Sequence, residues 1–260
     1  MTVFMELVRG LADWRRWAWL GWNDVRLANR RSMLGMWWPT MSIGIFVFGV
    51  GLLFASVMER DLYDFLPHIA LGWTAWSLIS NGVVQGTLCF IMAKHVLLEA
   101  VLPINAVPLR ALVKLAMNYV LSLSVIVAVF AFVQRPVGLE ALLIVPGLLI
   151  NILTLHGAML FLGILATRLR DLQMLVEAGM RLAFFMTPII WMPMVGNEGG
   201  RGALIDFNPF FYMMEIMRSP VLGEIPSLSH YGVAIGLMLG SNLMALLVFK
   251  IFKSRLVYWL

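Results

Sequence analysis

The chain has 260 residues, of which 61% are hydrophobic and only 13% charged, and its formal charge is +5. Soluble domains carry roughly 45–50% apolar and 25% charged residues, so the few charges here, gathered between long apolar runs, cannot clothe a water-soluble surface. The basic residues form no single soluble patch, which argues against nucleic acid, and the lone cysteine, Cys89, excludes an intramolecular disulfide.

The N-terminal segment carries Arg9, Arg15, Arg16, Arg26 and Arg30 without the continuous apolar centre of a signal peptide, and we expect it to be retained. Leu11, Trp14, Trp17, Ala18, Trp22, Val25 and Leu27 recur near the helical period, with Arg15, Arg16, Asp24 and Arg26 on other faces. That pattern predicts an interfacial helix with tryptophans at headgroup depth. Arg26, Arg30 and Arg31 stand directly before the first apolar run. Two readings stay open for them, positive-inside retention signals or cations that meet a lipid phosphate.

A helix crossing the roughly 30 Å hydrocarbon layer needs about 20 mostly apolar residues, because every backbone polar group must be satisfied within it. Six stretches qualify as candidates: Met36–Val57, Phe65–Ala93, Val107–Val133, Ala141–Ala166, Leu172–Val195 and Tyr231–Phe249. Glu177 and Arg181 fall in the first half of the fifth, which predicts a short, tilted or bent span. Cationic segments are held on the cytoplasmic side during insertion. Counting Lys and Arg between the spans gives fifteen on the side of the N-terminus and four, Arg60, Arg135, Arg201 and Arg218, on the other. This alternation predicts six crossings with both termini cytoplasmic. The expected fold is all-α and integral to the membrane, one transmembrane domain over 1–260, with 1–35 interfacial and 36–260 in the bundle.

Two connections are informative. Thr167-Arg168-Leu169-Arg170-Asp171-Leu172 forms a charged turn after the fourth run, where Asp171 is expected to cap the helix that follows. Between the fifth and sixth runs, Asn208-Pro209 and Arg218-Ser219-Pro220 bracket an apolar piece too short to span. It suits either a re-entrant gate or an interfacial cover.

Catalysis would require paired carboxylates, a ligand cluster or an activated nucleophile. His68, His95, His156 and His230 are scattered, and no Asp or Glu stands mid-span to couple protons or sodium. Asn81, Gln85, Asn118, Asn151 and Asn242 read as interhelical hydrogen-bond glue first and as lining of an aqueous path second. No GxxxxGK[ST] phosphate loop is present, so this chain by itself cannot hydrolyse a nucleotide. Aromatics gather at Trp37, Trp38, Trp73, Trp76, Trp191, Phe184, Phe185, Phe210, Phe211 and Tyr212. They fit interfacial belts and equally a path on which sugar faces stack.

In order along nearly the whole chain, several motifs resemble the permease subunits of type 2 ABC exporters, in the branch that exports bacterial O-antigen, capsule and teichoic acid. These are Arg30-Arg31-Ser32-Met33-Leu34-Gly35, Trp38-Pro39, Leu102-Pro103, Arg170-Asp171-Leu172, Thr187-Pro188-Ile189, and Asn208-Pro209 with Arg218 and Gly223. The resemblance implies a homodimer in the bacterial inner membrane, joined to two cytosolic ATPase subunits that hold ATP and Mg, with no cofactor in this chain. It also implies a lipid-linked polysaccharide as substrate. Arg168, Arg170, Asp171 and Leu172 would belong to the coupling helix, and Arg26, Arg30 and Arg31 to a gate helix that receives the lipid phosphate. Asn208, Pro209, Phe210, Phe211 and Arg218 would form the extracytoplasmic gate, and Trp37, Trp38, Trp73, Trp76, Phe184 and Tyr212 could line the glycan path. Where the family often has an Arg-Tyr pair before the Arg-Ser-x-x-Gly stretch, this chain has Leu27-Ala28-Asn29.

Two rival readings stand beside this one. A membrane-embedded transferase acting on lipid-linked sugars would need an acidic pair, and Asp61 with Asp64 is the only close one outside the spans. A drug or small-lipid exporter of the same fold would differ in cargo alone.

Overall fold

The computed structural model describes residues 9–28, 30, 33–57, 61–99, 102–192 and 205–259. Among these the chain is helical, with no strand. Helix α1 covers Trp14–Ala28, α2 Trp38–Val57, α3 Leu62–Met92, α4 Lys94–Leu98, α5 Ala106–Val133, α6 Ile144–Arg168, α7 Leu172–Met186, α8 Pro209–Arg218 and α9 Leu228–Trp259. Short 3₁₀ turns at Gly35–Trp37 and Leu139–Leu143 lead into α2 and α6.

Among the described residues, five helical segments are long and apolar enough to cross a membrane: Gly35–Val57, Leu62–Met92, Ala106–Val133, Leu139–Arg168 and Leu228–Leu256. They coincide with five of the six stretches expected. Their ends obey local chemistry. Asp61 starts α3 by accepting from the Tyr63 amide at 2.9 Å, and Pro39 sits at the second position of α2, where no intrahelical donor is lost. Gln134, in the left-handed region at φ 52°, closes α5. The fifth stretch behaves differently. Its helix, α7, has 15 residues and so reaches only about 22 Å, short of the hydrocarbon thickness. It stops at Thr187, whose extended backbone (φ −95°, ψ 134°) is what a residue before proline prefers, Pro188 being next.

Helix α6 is the central post, packed between α3 and α9, and α5 lies against α3. The main core joins Trp76, Ile79, Leu115, Leu155, Met159, Met180 and Met214, so α3, α5, α6, α7 and α8 share one interior. One membrane face collects α1, the start of α5 and the ends of α6 and α9, where Arg168 lies 5.4 Å from the Trp259 ring. The opposite face collects the start of α3 and the end of α5, where Arg135 reaches Asp64 at 3.5 Å and the Leu222 carbonyl at 3.0 Å. The described helix ends therefore gather at two opposite faces.

Candidate functional site

Two cavities follow one groove between α3 and α5. On α3, Trp73, Ser77, Asn81 and Gln85 recur every fourth residue, and on α5 so do Arg110, Lys114, Asn118 and Ser122, which sets each group in one row on its helix surface. The helices run in opposite directions. The rows therefore meet as Gln85 with Arg110 and Lys114 near the α1 face, and as Ser77 and Asn81 with Asn118 and Ser122 deeper in. The first set lines a cavity of about 470 Å³. The second, with Ser42, Phe46 and Trp73, lines one of about 380 Å³.

The amides resolve into two classes. Asn151 donates to the Gly147 carbonyl of its own helix and to the Met213 carbonyl of α8, both at 2.9 Å, and Asn242 of α9 donates to the Leu153 carbonyl of α6 at 3.0 Å. These two are interhelical glue. Asn81, Gln85 and Asn118 have no side-chain hydrogen bond among the described residues and face the cavities instead. Cys89, buried, packs with its Sγ 3.8 Å from the Met159 carbonyl.

Aromatic rings close the groove on the side away from α1. Phe46 stacks on Trp73 (centroids 3.6 Å), Trp73 meets Phe184 at 5.6 Å, Phe184 meets Trp76 at 5.9 Å, and Trp76 meets Phe210 at 5.7 Å. This chain of edge and stacked contacts ties α2, α3, α7 and α8 together. Trp73, Trp76 and Phe184 come together as a cluster. Trp37 and Trp38 do not join it; both are about half exposed at the start of α2. Tyr212 is elsewhere too, packed against Phe211 and His230 and donating to the Asp206 carbonyl at 2.9 Å. Phe46, unremarkable in an apolar run, carried no sequence signal.

Helix α8 is lodged in the protein, not laid over it. Asn208 caps it by accepting from the Phe210 amide at 3.0 Å, and its Nδ2 donates to Thr187 Oγ1 at 2.8 Å. Pro209 takes the first helical position, whose N–H has no partner in any helix. At the other end Arg218, 3% exposed, donates to Glu215 at 2.5 Å and to the Pro188 carbonyl at 2.7 Å, and lies 3.2 Å from His68 Nε2. Ser219 also bonds Glu215. Gly147 allows the approach to α6, since a Cβ there would sit 2.4 Å from the Ile216 carbonyl.

Helix α1 is fastened to α5 by Arg110, whose Nε and Nη2 each donate to an Asp24 oxygen at 2.6 Å. Gly21 packs on the same backbone, a Cβ there lying 2.7 Å from the Arg110 carbonyl. Trp14, Trp19 and Trp22 of α1 remain exposed. Arg26 and Arg30 are exposed and do not line the cavity; Arg31 lies outside the described residues. The cations that do line it, Arg110 and Lys114, were legible only as side markers for the third span.

Between α6 and α7 the turn is tighter than an independent helix. Arg168 ends α6, Leu169 caps it, and α7 starts at Leu172. Asp171 occupies the N-cap position in helical geometry, so its carboxylate makes no cap bond, contrary to expectation. Arg170 and Asp171 are exposed beside Leu169, Met174 and Leu175, which are 56%, 73% and 70% exposed. The acidic pair is spoken for, Asp61 in a cap and Asp64 with Arg135. No group of three metal-ligating side chains occurs among the described residues.

Residues 15–222 match the family described as ABC-2 type transporter, and with it four-fifths of the chain. The chain belongs to the ABC-2 type transporter family. It is a membrane permease component of an ABC transporter. Among curated proteins it is similar to the O-antigen export system permease protein RfbA of Myxococcus xanthus, 27% identical over 198 residues covering 74% of each chain. Two proteins of that name from Klebsiella pneumoniae are 22% and 24% identical over 194 residues, again 74% of each. In this ABC-2 chain the matched region runs from α1 through α8, so the fastened helix, the polar groove and the lodged helix all fall within it.

Proposed function

We propose that this ABC-2 chain is the permease subunit of an ATP-driven exporter of lipid-linked polysaccharide, of the O-antigen kind its relatives are named for. The observation that carries the reading is the pair of polar rows on α3 and α5 ending at a chain of aromatic rings. Hydroxyl-rich cargo is served by the three amides without side-chain partners, Asn81, Gln85 and Asn118, and sugar faces by the rings. An exporter of apolar drugs has no use for Asn81, Gln85 and Asn118 left unbonded within a span.

In this reading the α1 face is cytoplasmic, both termini lie there, and the membrane is the bacterial inner membrane. The fifth crossing is discontinuous: α7 covers its inner part, and the turned segment beginning at Thr187, buried through Ile189, begins its outer part. Irregular backbone at that depth is tolerable because protein surrounds it. Two copies of the chain enclose the path between them, and two cytosolic ATPases, which hold ATP and Mg, dock on Arg168, Arg170, Asp171 and Leu172. The exposed Leu169, Met174 and Leu175 supply apolar contact around those charges.

The test is export itself. Asn81→Leu with Asn118→Leu, expressed with the partner ATPase in cells lacking the native permease, is expected to lower surface polysaccharide about tenfold or more, two lost polar contacts of roughly 1 kcal/mol each. Lipid-linked polymer accumulates inside. Unchanged surface polysaccharide with the doubly substituted chain inserted at normal levels overturns the reading.

A further inference from the structure

The ion pair that fastens α1 stands at the mouth of the 470 Å³ cavity, and Asp24, Arg110 and Lys114 all line it. Arg110 is only partly satisfied. Asp24 occupies Nε and Nη2, while Nη1 is buried without a partner among the described residues. Lys114, one turn further along α5, has no hydrogen bond or ion pair among them. Two cations thus face a single carboxylate. A buried donor left unmade costs free energy that a suitable acceptor would recover. The α3 wall opposite carries the apolar Leu88 and Met92 beside Gln85, and Val107 stands one turn before Arg110 on α5. A small hydrated anion would gain nothing from that wall. A phosphate-type anion on an apolar chain satisfies both sides: its oxygens bridge Lys114 and the guanidinium, and its chain covers the wall.

We propose that this cavity binds the phosphate group of an amphiphile and that Asp24 is its built-in competitor. An anion seated between Lys114 and Arg110 takes the guanidinium from Asp24, and with the bidentate pair gone α1 is released from α5. Occupancy of the site and the position of the interfacial helix are then one event. The site stands on its own geometry; that its occupant is the carrier end of the cargo rests on the export reading. A phospholipid headgroup offers the same chemistry, and the experiment separates the two sources.

Purified full-length chain in detergent would be titrated with radiolabelled farnesyl pyrophosphate. Saturable binding is expected, with farnesol unable to compete. Lys114→Gln weakens it about tenfold, the scale of one charge-assisted hydrogen bond, and Lys114→Arg restores it. Asp24→Asn tightens it several-fold, because no carboxylate has to be displaced. Displacement of the label by short-chain phosphatidylglycerol at matching concentration supports the site with a bilayer lipid as occupant; failure to displace supports a pyrophosphate-bearing carrier. Equal affinity in Lys114→Gln and the unaltered chain, effective competition by farnesol, or weaker binding in Asp24→Asn overturns the proposal. None of these touches the export reading, which fails or stands on the Asn81 and Asn118 variants.

Discussion

Arg218 donates from Nη1 to the carbonyl of Pro188 at 2.7 Å, joining the end of α8 to the point where α7 stops. The same guanidinium holds Glu215 and contacts His68 at the start of α3, so three elements meet on one buried side chain. Arg218→Ala leaves Glu215 without its cation in a site where that carboxylate is 13% exposed. We expect a loss of about 3 kcal/mol, the usual cost of breaking a buried pair from one side. Thermal unfolding in detergent checks it, and Arg218→Lys, which cannot span three acceptors with one planar fork, should recover only part of the loss.

Gly147→Ala drives a methyl group onto the Ile216 carbonyl, which is backbone and cannot rotate aside. Displacement of α8 should destabilise the chain by about 1–3 kcal/mol, the range for overpacking, and reduce export. Gly232→Ala, on α9 with open space around it, is the control and should leave both unchanged.

At the turn between α6 and α7, Asp171→Arg, or exchange of Arg168 and Arg170 for acidic residues, should abolish stimulation of the partner ATPase by the permease. Because Arg170 and Asp171 are exposed and make no cap bond, the unfolding midpoint of Asp171→Arg should hold, whereas the exchange at Arg168 also gives up its contact with Trp259. ATPase assays on the reconstituted complex decide it; normal stimulation would sink the docking assignment. Leu175→Glu, which inserts a charge into the exposed apolar rim, should weaken the complex by about 1–2 kcal/mol without unfolding it.

Trp73→Ala removes the link between Phe46 and Phe184 and opens the inner groove toward α8. Surface polysaccharide should fall, while thermal stability drops by about 3 kcal/mol as for other large aromatic truncations. Trp38→Ala, at an exposed site outside the ring chain, should alter neither measure appreciably.

Lipid makes the large features legible. An uninterrupted apolar run of about 20 residues has few alternatives to a spanning helix, and retention of cations on one side writes the direction into the sequence. The weakness of the fifth stretch was readable in Glu177 and Arg181, and its stopping place in Thr187-Pro188. Helix α8 announced itself through Asn208-Pro209. Contacts between distant residues were another matter. Asp24 and Arg110 are 86 positions apart, and an aspartate on an amphipathic helix reads as a solvated face until α5 is known to lie beneath it. Asn151 and Asn118 are the same residue in similar apolar company. Only the presence of the Met213 carbonyl opposite one, and of empty space opposite the other, makes the first a fastener and the second a lining.

A 15-residue helix standing among helices of 20 to 32 residues has a consequence for the surrounding lipid. Leu182 and Phe185 on α7 are 64% and 74% exposed, so acyl chains or a second copy must cover them. Wherever lipid does, it meets about 22 Å of helix before the turn at Thr187, and local thinning to match that length costs a fraction of a kcal/mol for each ångström. The mismatch sits beside the aromatic ring chain through Phe184. Turnover should therefore respond to acyl-chain length, rising in short-chain bilayers that relieve the strain and falling in thick ones. Membrane thickness becomes a control parameter of the transporter.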